Sequence, residues 1–200
     1  MSASTDAAHP TPGPGRPRDP QVDQAIIEAA VDLLRDGGVE ALSIDGVASR
    51  SGVSRASVYR RHQNRIDLME AAFNAAATAP TTPPDTGSIR TDLIEIVRRV
   101  HAALHDTESG RLLPSMVSAA KDNAEVREAL ERFTTARRTP TIEAIGRGVE
   151  RGELQPDIDP DLVADVLVGA VMYRVLMRNG TFDEEQTSAL VGVILSGTGA

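Results

Sequence analysis

The sequence predicts an all-α protein of about nine helices, and three observations predict it. No stretch of any length alternates apolar and polar residues as a strand does. Apolar residues recur at three- and four-residue spacing, and Ser, Asp, Asn and Pro stand where each such run begins. Charge and breaker patterns divide the chain into an arm over 1–18, a head over 19–79 and a larger helical body over 80–200.

The arm is rich in Pro, Gly, Ser and Thr and has no apolar period, which predicts disorder. Asp19 and Pro20 are an N-cap and first-turn pair for a first helix, with Val22, Ile26, Ala29, Ala30 and Leu33 on one face and an end at Gly37-Gly38. Ser43 caps a second helix, Ile44 to Ser51, whose Val47 and Ala48 face inward; Ala48 is small, as a close helix crossing requires. Gly52 stands where a left-handed turn is needed, Val53 packs under it, and Ser54 caps a third helix from Arg55 to about His62 with Val58 turned back toward the second. Asn64, followed three residues later by Asp67, starts a fourth helix through Ile66, Met69, Ala72 and Phe73 to near Ala79.

The stretch SIDGVASRSGVSRASVYRRHQNR therefore has the stereochemistry of a helix-turn-helix over about 43–62. From Arg50 to Arg65 it holds five Arg and no acid, and the outer face of its second helix presents Arg55, Ser57, Tyr59, Arg60 and Arg61, groups that bond phosphates and base edges. Arg16 and Arg18, at the end of the arm, are open to two readings: solvated linker charges, or a reach along the phosphates or into a minor groove.

PTTPPDTG at Pro80 to Gly87 is a boundary loop. Ser88 caps a fifth helix with Ile89, Leu93, Ile96, Val97, Val100 and Leu104 on one side. A sixth covers about Gly110 to Ala120, with Pro114 near its start or kinking it. A further helix runs from Ala124 to about Arg138, and Thr139-Pro140 restarts or kinks it before it continues to Arg151. Gly146 and Gly148 lie inside this helical pattern, so they form no phosphate loop and instead allow close packing or weaken the helix. Asp159-Pro160 begins the last pair. Leu162, Val163, Val166, Leu167, Ala170, Val171, Tyr173, Val175 and Leu176 leave one of its helices apolar almost all round, so it needs cover on both sides. Leu190, Val191, Ile194 and Leu195 stripe the final helix, and a second copy of the pair over about 160–196 is the simplest cover, giving a two-fold four-helix bundle.

Net charge is −8, yet up to Arg65 eight Arg balance eight acids, whereas thirteen basic residues meet twenty-one acids beyond it. Such asymmetry keeps the body off a polyanion and presents one end to it. The absence of cysteine excludes disulfides, a thiol redox sensor and thiolate metal sites. No apolar run is long enough for a membrane span, and the first twenty residues lack the apolar core of a signal peptide, so a cytoplasmic location and no membrane partner are expected.

The segment from Pro20 to Phe73 resembles the DNA-binding domain of the tetracycline-repressor (TetR) family of bacterial transcription regulators. AIIEAAVDLLRDGGVEALSIDGVA, SGVSRASVYRR and NRIDLMEAAF carry the resemblance, and GRGVERGELQPDIDPDLVADVLVGAVMYRVL is similar to the ligand-binding domain of one large branch of that family. His62 departs from the usual Phe or Trp, and Arg65 from the usual Lys while keeping the charge. The resemblance implies a homodimer on a palindromic double-stranded DNA site, a repressor rather than an activator, controlled by a small molecule. Its candidate DNA-contacting residues are Ser43, Ser54, Arg55, Ser57, Tyr59, Arg60, Arg61 and Arg65. By position, Arg55 and Ser57 fall to base edges, Tyr59, Arg61 and Arg65 to phosphates, and Arg60 to either.

A ligand cavity is expected among the helices from Leu93 to Met177, mainly aliphatic, with Met116, Phe133, Met172, Tyr173, Met177 and His101 as candidate lining. His101 and His105, spaced i, i+4, have the geometry for a metal, but no obvious third ligand is placed by the sequence, although Asp106 and Glu108 lie close, so neither metal nor cofactor is expected. An enzyme has no support from any nucleophile, Walker or His-Glu metal motif. The remaining alternative is a helical sensor or adaptor that no longer binds DNA, against which the five Arg stand.

Overall fold

The computed structural model describes residues 19–77 and 80–198, and within them the chain folds into nine α-helices and one π-helical turn, with no strand. The arm, with Arg16 and Arg18, lies outside the described residues, as do the last residues expected of the fourth helix.

Helix α1 (Pro20–Ala41) starts where Asp19 accepts the Gln21 N–H at 3.0 Å. Its regular part stops at Gly37 and Gly38, whose backbone leaves the helical region, and one further turn carries Val39 into the core. Leu34 takes the fully buried place expected of Leu33, which is only partly covered. Helices α2 (Ile44–Ser51) and α3 (Arg55–Tyr59) are capped by Ser43, accepting from Gly46 N at 3.0 Å, and Ser54, accepting from Ser57 N at 3.3 Å. Gly52 joins them at φ 69°, a conformation that an L side chain adopts only with strain. The third helix is thus shorter than expected and ends in a turn at Arg60 and Arg61. Helix α4 (Arg65–Ala76) opens on a reciprocal cap: Asp67 N donates to Asn64 Oδ1 and Gln63 N to Asp67 Oδ2, both at 2.9 Å.

Helix α5 (Ile89–His105) begins differently from expectation, because Ser88 makes no side-chain cap bond. The Ile89 N–H donates instead to Glu153 Oε2 at 2.8 Å. One turn on, the fully buried Asp92 accepts from Thr86 N and Thr86 Oγ1, both at 2.8 Å, which fastens the boundary loop to α5. Helix α6 (Glu108–Ala119) contains Pro114 without breaking. Its Gly110 lies against the end of α5 so closely that a Cβ would sit 2.2 Å from the Leu104 carbonyl oxygen, which excludes every other residue there. Helix α7 (Ala124–Glu150) runs continuously through Pro140, and Gly148 lets Ile89 of α5 approach it, whereas Gly146 faces open space. Helix α8 (Pro160–Met172) passes into the π-helical turn Tyr173–Met177, which the sequence pattern did not signal, and α9 (Glu184–Thr198) closes the fold.

Two cores form. The first gathers Ile26, Leu34, Val47, Val58, Leu68 and Phe73 of α1–α4, together with Leu112 and Met116 of α6 and Val126 and Ala129 of α7. The second joins α5, the later part of α7, α8, the π turn and α9 through Leu93, Val97, Ile145, Leu167, Val171 and Val191. Each fully buried large side chain contributes roughly 1.5–3 kcal/mol of transfer free energy. The long α7 therefore belongs to both cores and α6 packs into the first, so the head is packed onto the body.

Leu162 and Val166 of α8, Tyr173 and Met177 of the π turn and Val193 of α9 are left exposed by half or more, Met177 at 75%. One side of the last helices is thus core, as its apolar pattern demanded, and the other lies uncovered in the protomer. No helix among the described residues is long and apolar enough to cross a membrane.

Candidate nucleic-acid interface

The helix-turn-helix carries its polar residues on a scaffold set by the buried Val47 and Val58. A chain of hydroxyls runs along α3: Ser54 Oγ donates to Ser57 Oγ at 3.0 Å, and Arg60 Nη2 donates to the same oxygen at 2.6 Å. Tyr59 is half exposed. Arg55, the first residue of α3, is 63% exposed in its side chain, and its Nε lies 2.6 Å from Asp45 of α2.

The acid-free character expected of this face ends at the borders of the segment. Folding brings acids from earlier in the chain to four of the five arginines: Asp36 to Arg50 at 2.6 Å, Asp45 to Arg55, Asp23 to Arg61, and Glu40 to Arg65 at 3.9 Å. Only Arg60 has no carboxylate within ion-pair range among the described residues. These pairs differ in depth. Arg55 and Asp45 are both well exposed, so their attraction is weak and screened, and Arg55 can exchange its partner at small cost. Arg61 is only 13% exposed, bonds Asp23 of α1 and also donates to the Ser57 carbonyl at 3.2 Å. It is therefore a strut between α1 and the end of α3. Arg65 donates through Nη2 to the Val39 carbonyl, tying α4 to the last turn of α1. His62, in place of the aromatic of the resembling motif, is nearly covered, with Nδ1 3.7 Å from Asp67.

A cavity of about 480 Å³ opens among α5, α6, α7 and α8, within the size range of small-molecule sites, and its lining is mainly aliphatic. Of the residues expected to line it, Phe133 and Met172 do. Met116 does not, because it is fully buried in the first core between head and body. Tyr173 and Met177 project to the surface from the π turn, whose extra residue per turn rotates the chain away from the α8 face. His101 is also outside the lining. It stacks on His105 with centroids 5.3 Å apart, and its Nε2 is buried with no hydrogen-bond partner. Burial, and then the neighbouring His105, lower its pKa below 6.5 against a smaller opposing pull from Asp106. Among the described residues no group of three or more His, Asp or Glu is placed to hold a metal.

Besides the first core that they share, two ion pairs and a ring contact among the described residues join head and body. Arg35 of α1 donates through Nε to Glu108 of α6 at 3.0 Å, and Arg132 of α7 to Glu70 of α4 at 3.0 Å. Phe73 of α4 meets Phe133 of α7. Both α6 and Phe133 also line the cavity.

Comparison with known families places both halves. Residues 26–72 match the model for bacterial regulatory proteins of the tetR family, and residues 83–194 match that for the tetracyclin repressor-like C-terminal domain. The chain belongs to the TetR family. It is a DNA-binding, helix-turn-helix transcriptional regulator. The regulator is 30% identical to the DNA-binding transcriptional repressor TetR of Mycobacteroides abscessus, over 86% of this chain and 90% of that one. It is 29% identical to the uncharacterized HTH-type transcriptional regulator YdeS of Bacillus subtilis (strain 168), over 88% and 89%. The crystal structure of the TetR family regulator SCO0332 superposes with a TM-score of 0.68 at 30% identity, covering 88% of this chain and 98% of that one.

Sequence reasoning missed the acids that meet the arginines and the contribution of α6 to the head. Asp23, Asp36 and Glu40 lie on α1, whose apolar spacing drew attention to its other face, and nothing in local pattern tells which exposed acid will meet which distant arginine.

Proposed function

We propose that the regulator acts as a homodimer that binds an inverted-repeat operator, and that a small molecule in the α5–α8 cavity alters this binding, with repression as the output. The reading is carried by the uncovered row Leu162, Val166, Tyr173, Met177 and Val193: a second copy of α8 and α9 laid against it makes a four-helix bundle without changing either protomer. Two recognition helices then stand about one duplex turn, ~34 Å, apart and require a palindrome. A function in the cytoplasm and a division of labour between a head over 19–79 and a body over 80–200 belong to the same proposal.

In it, Arg55 and Ser57 read base edges, Tyr59, Arg60 and Arg65 hold phosphates, and Ser43 and Ser54 fix the two helix starts that present them. Arg61 sets the tilt of α3 through Asp23. The ligand need only prefer one head spacing; a coupling of ~1–3 kcal/mol changes DNA affinity roughly 5- to 150-fold. The three head–body contacts support this, since α6 and Phe133 belong to the cavity wall and to the head packing alike.

The test is selection of bound duplexes from a random pool by the purified protein, with its mass in solution measured alongside. A dimer that enriches an inverted repeat supports the proposal. A monomer, or a dimer that enriches no repeat, overturns it.

A further inference from the structure

The cavity wall is apolar along Val100, Leu113, Leu130 and Val168, and the protein itself takes up the charges set into it. Arg138 is held by Asp161 at 3.0 Å and by Asp165 at 3.1 Å, and Asp165 is the one carboxylate among the described residues of the wall. Arg99 is held by Glu95 at 2.8 Å and donates to the Thr82 carbonyl at 2.7 Å. Arg137 is engaged as well, its guanidinium lying over the Phe133 ring. The hydroxyls of the wall belong to Ser109, Thr134 and Thr141. Ser109 Oγ lies 2.9 Å from Thr107 Oγ1, and Thr134 donates to the Glu131 carbonyl at 3.1 Å. Thr141 of α7 is only 3% exposed, and its hydroxyl has no hydrogen-bond partner among the described residues. Two residues earlier the same helix satisfies such a group, since Thr139 donates to the Thr135 carbonyl at 3.0 Å.

We propose that the cavity takes an uncharged, mainly apolar molecule that carries a hydroxyl or carbonyl oxygen, and that Thr141 Oγ1 binds this oxygen. The inference rests on reading the cavity as the ligand site. Buried hydroxyls are ordinarily hydrogen-bonded, and one left without a partner is a place where a guest oxygen gains a bond that the empty wall lacks. The threonine hydroxyl donates to a carbonyl and accepts from an alcohol, so either group answers it. A carboxylate guest would give up its hydration and then compete with Glu95, Asp161 and Asp165 for guanidiniums that they already hold. An ammonium guest would meet three guanidiniums and a carboxylate already bound to one of them. A neutral guest leaves every one of these pairs intact, and its apolar body is matched by the rest of the wall.

The test is calorimetric titration of the purified full-length protein with matched probes: 2-naphthalenemethanol, 2-ethylnaphthalene and 2-naphthoate, and decanol with decanoate and decylamine. Each alcohol should bind about tenfold or more tightly than its charged counterparts, and the naphthyl alcohol about three- to tenfold more tightly than ethylnaphthalene, the size of one neutral hydrogen bond. Thr141→Val should remove the advantage over ethylnaphthalene without weakening ethylnaphthalene itself, and Thr141→Ser, which keeps the hydroxyl, should retain it. Thr141→Ala serves if the Val variant fails to fold by circular dichroism. Thr134→Val, in a wall residue whose hydroxyl is already bonded within α7, should change neither. If a charged probe binds as tightly as its alcohol, the neutral class is overturned while the cavity remains a ligand site. If the advantage of the alcohol survives loss of the Thr141 hydroxyl, the role of Thr141 is overturned. If no probe binds, the cavity reading fails and this inference with it.

Discussion

Phe133 meets Phe73 edge-on, ring centroids 5.9 Å apart and planes at 72°, so a residue of the cavity wall rests on the buried aromatic of α4. Edge-to-face pairs of this kind contribute about 0.5–1.5 kcal/mol beyond their buried area. A double-mutant cycle with Phe73→Leu and Phe133→Leu, followed by urea unfolding, should return a coupling of about that size. Strictly additive losses would mean that head and body do not communicate through these rings.

Arg55 and Asp45 face each other across the turn, both exposed, and this pair predicts opposite effects for its two members. Arg55→Ala should relax base preference at one position of each half-site by roughly 1–3 kcal/mol. Asp45→Asn removes a negative charge from beside the duplex and frees the guanidinium, so it should strengthen binding to all sequences and steepen the salt dependence. Anisotropy titrations over a series of salt concentrations check both. A uniform loss for Arg55→Ala, or weaker binding by Asp45→Asn, would show that the pair is needed intact.

Arg60 and Arg61 are adjacent in sequence and separate in role. Among the described residues the Arg60 side chain bonds only the Ser57 hydroxyl, so Arg60→Ala should leave stability nearly unchanged and reduce the salt slope by about 1. Arg61 is a partly buried strut to Asp23, so Arg61→Ala should lower stability by roughly 1–3 kcal/mol in denaturant unfolding, and Asp23→Asn should do much of the same. A normal midpoint for Arg61→Ala with a reduced salt slope would return Arg61 to the phosphates.

How much of this was legible follows from the range of the interaction that decides each feature. Gly52 at φ 69°, the Ser43 and Ser54 caps and the Asn64–Asp67 box are settled within four residues, and local pattern predicted each of them. Arg61 and Asp23 are thirty-eight positions apart, and only the packing of α1 on α3 brings them together. Met116 carries the right chemistry for a cavity wall, but it lies on the face of α6 that packs into the first core. Phe133, seventeen residues on, was legible because α7 spans both. The exposed side of α8 was visible as an apolar excess, while the π turn that splays Tyr173 and Met177 out of the cavity has no local signature.

The uncovered apolar row makes a prediction about assembly. Val166→Glu with Val193→Glu places charges on a face that the protomer leaves in water, so each chain should keep its helicity. The charges would be buried in a dimer, where an unpaired one costs several kcal/mol. Light scattering should therefore report monomers, and binding to a full operator should fall to that of a half-site. A variant that remains dimeric would place the interface elsewhere.

His101 makes stability depend on pH in a direction that can be worked out. Its folded-state pKa lies below 6.5, first because burial disfavours the imidazolium and second because His105 stacks beside it. The unfolded chain, whose histidine titrates near 6.5, then binds the proton before the folded one does. Stability is unaffected well above pH 6.5 and declines as the pH falls from there through the depressed folded value. His101→Leu removes this proton and should flatten the decline, so that urea midpoints of variant and wild type differ in their slope between about pH 7 and pH 5. The same slope in both would mean that His101 takes up its proton as readily in the fold as in the unfolded chain, and that some other group carries the acid sensitivity.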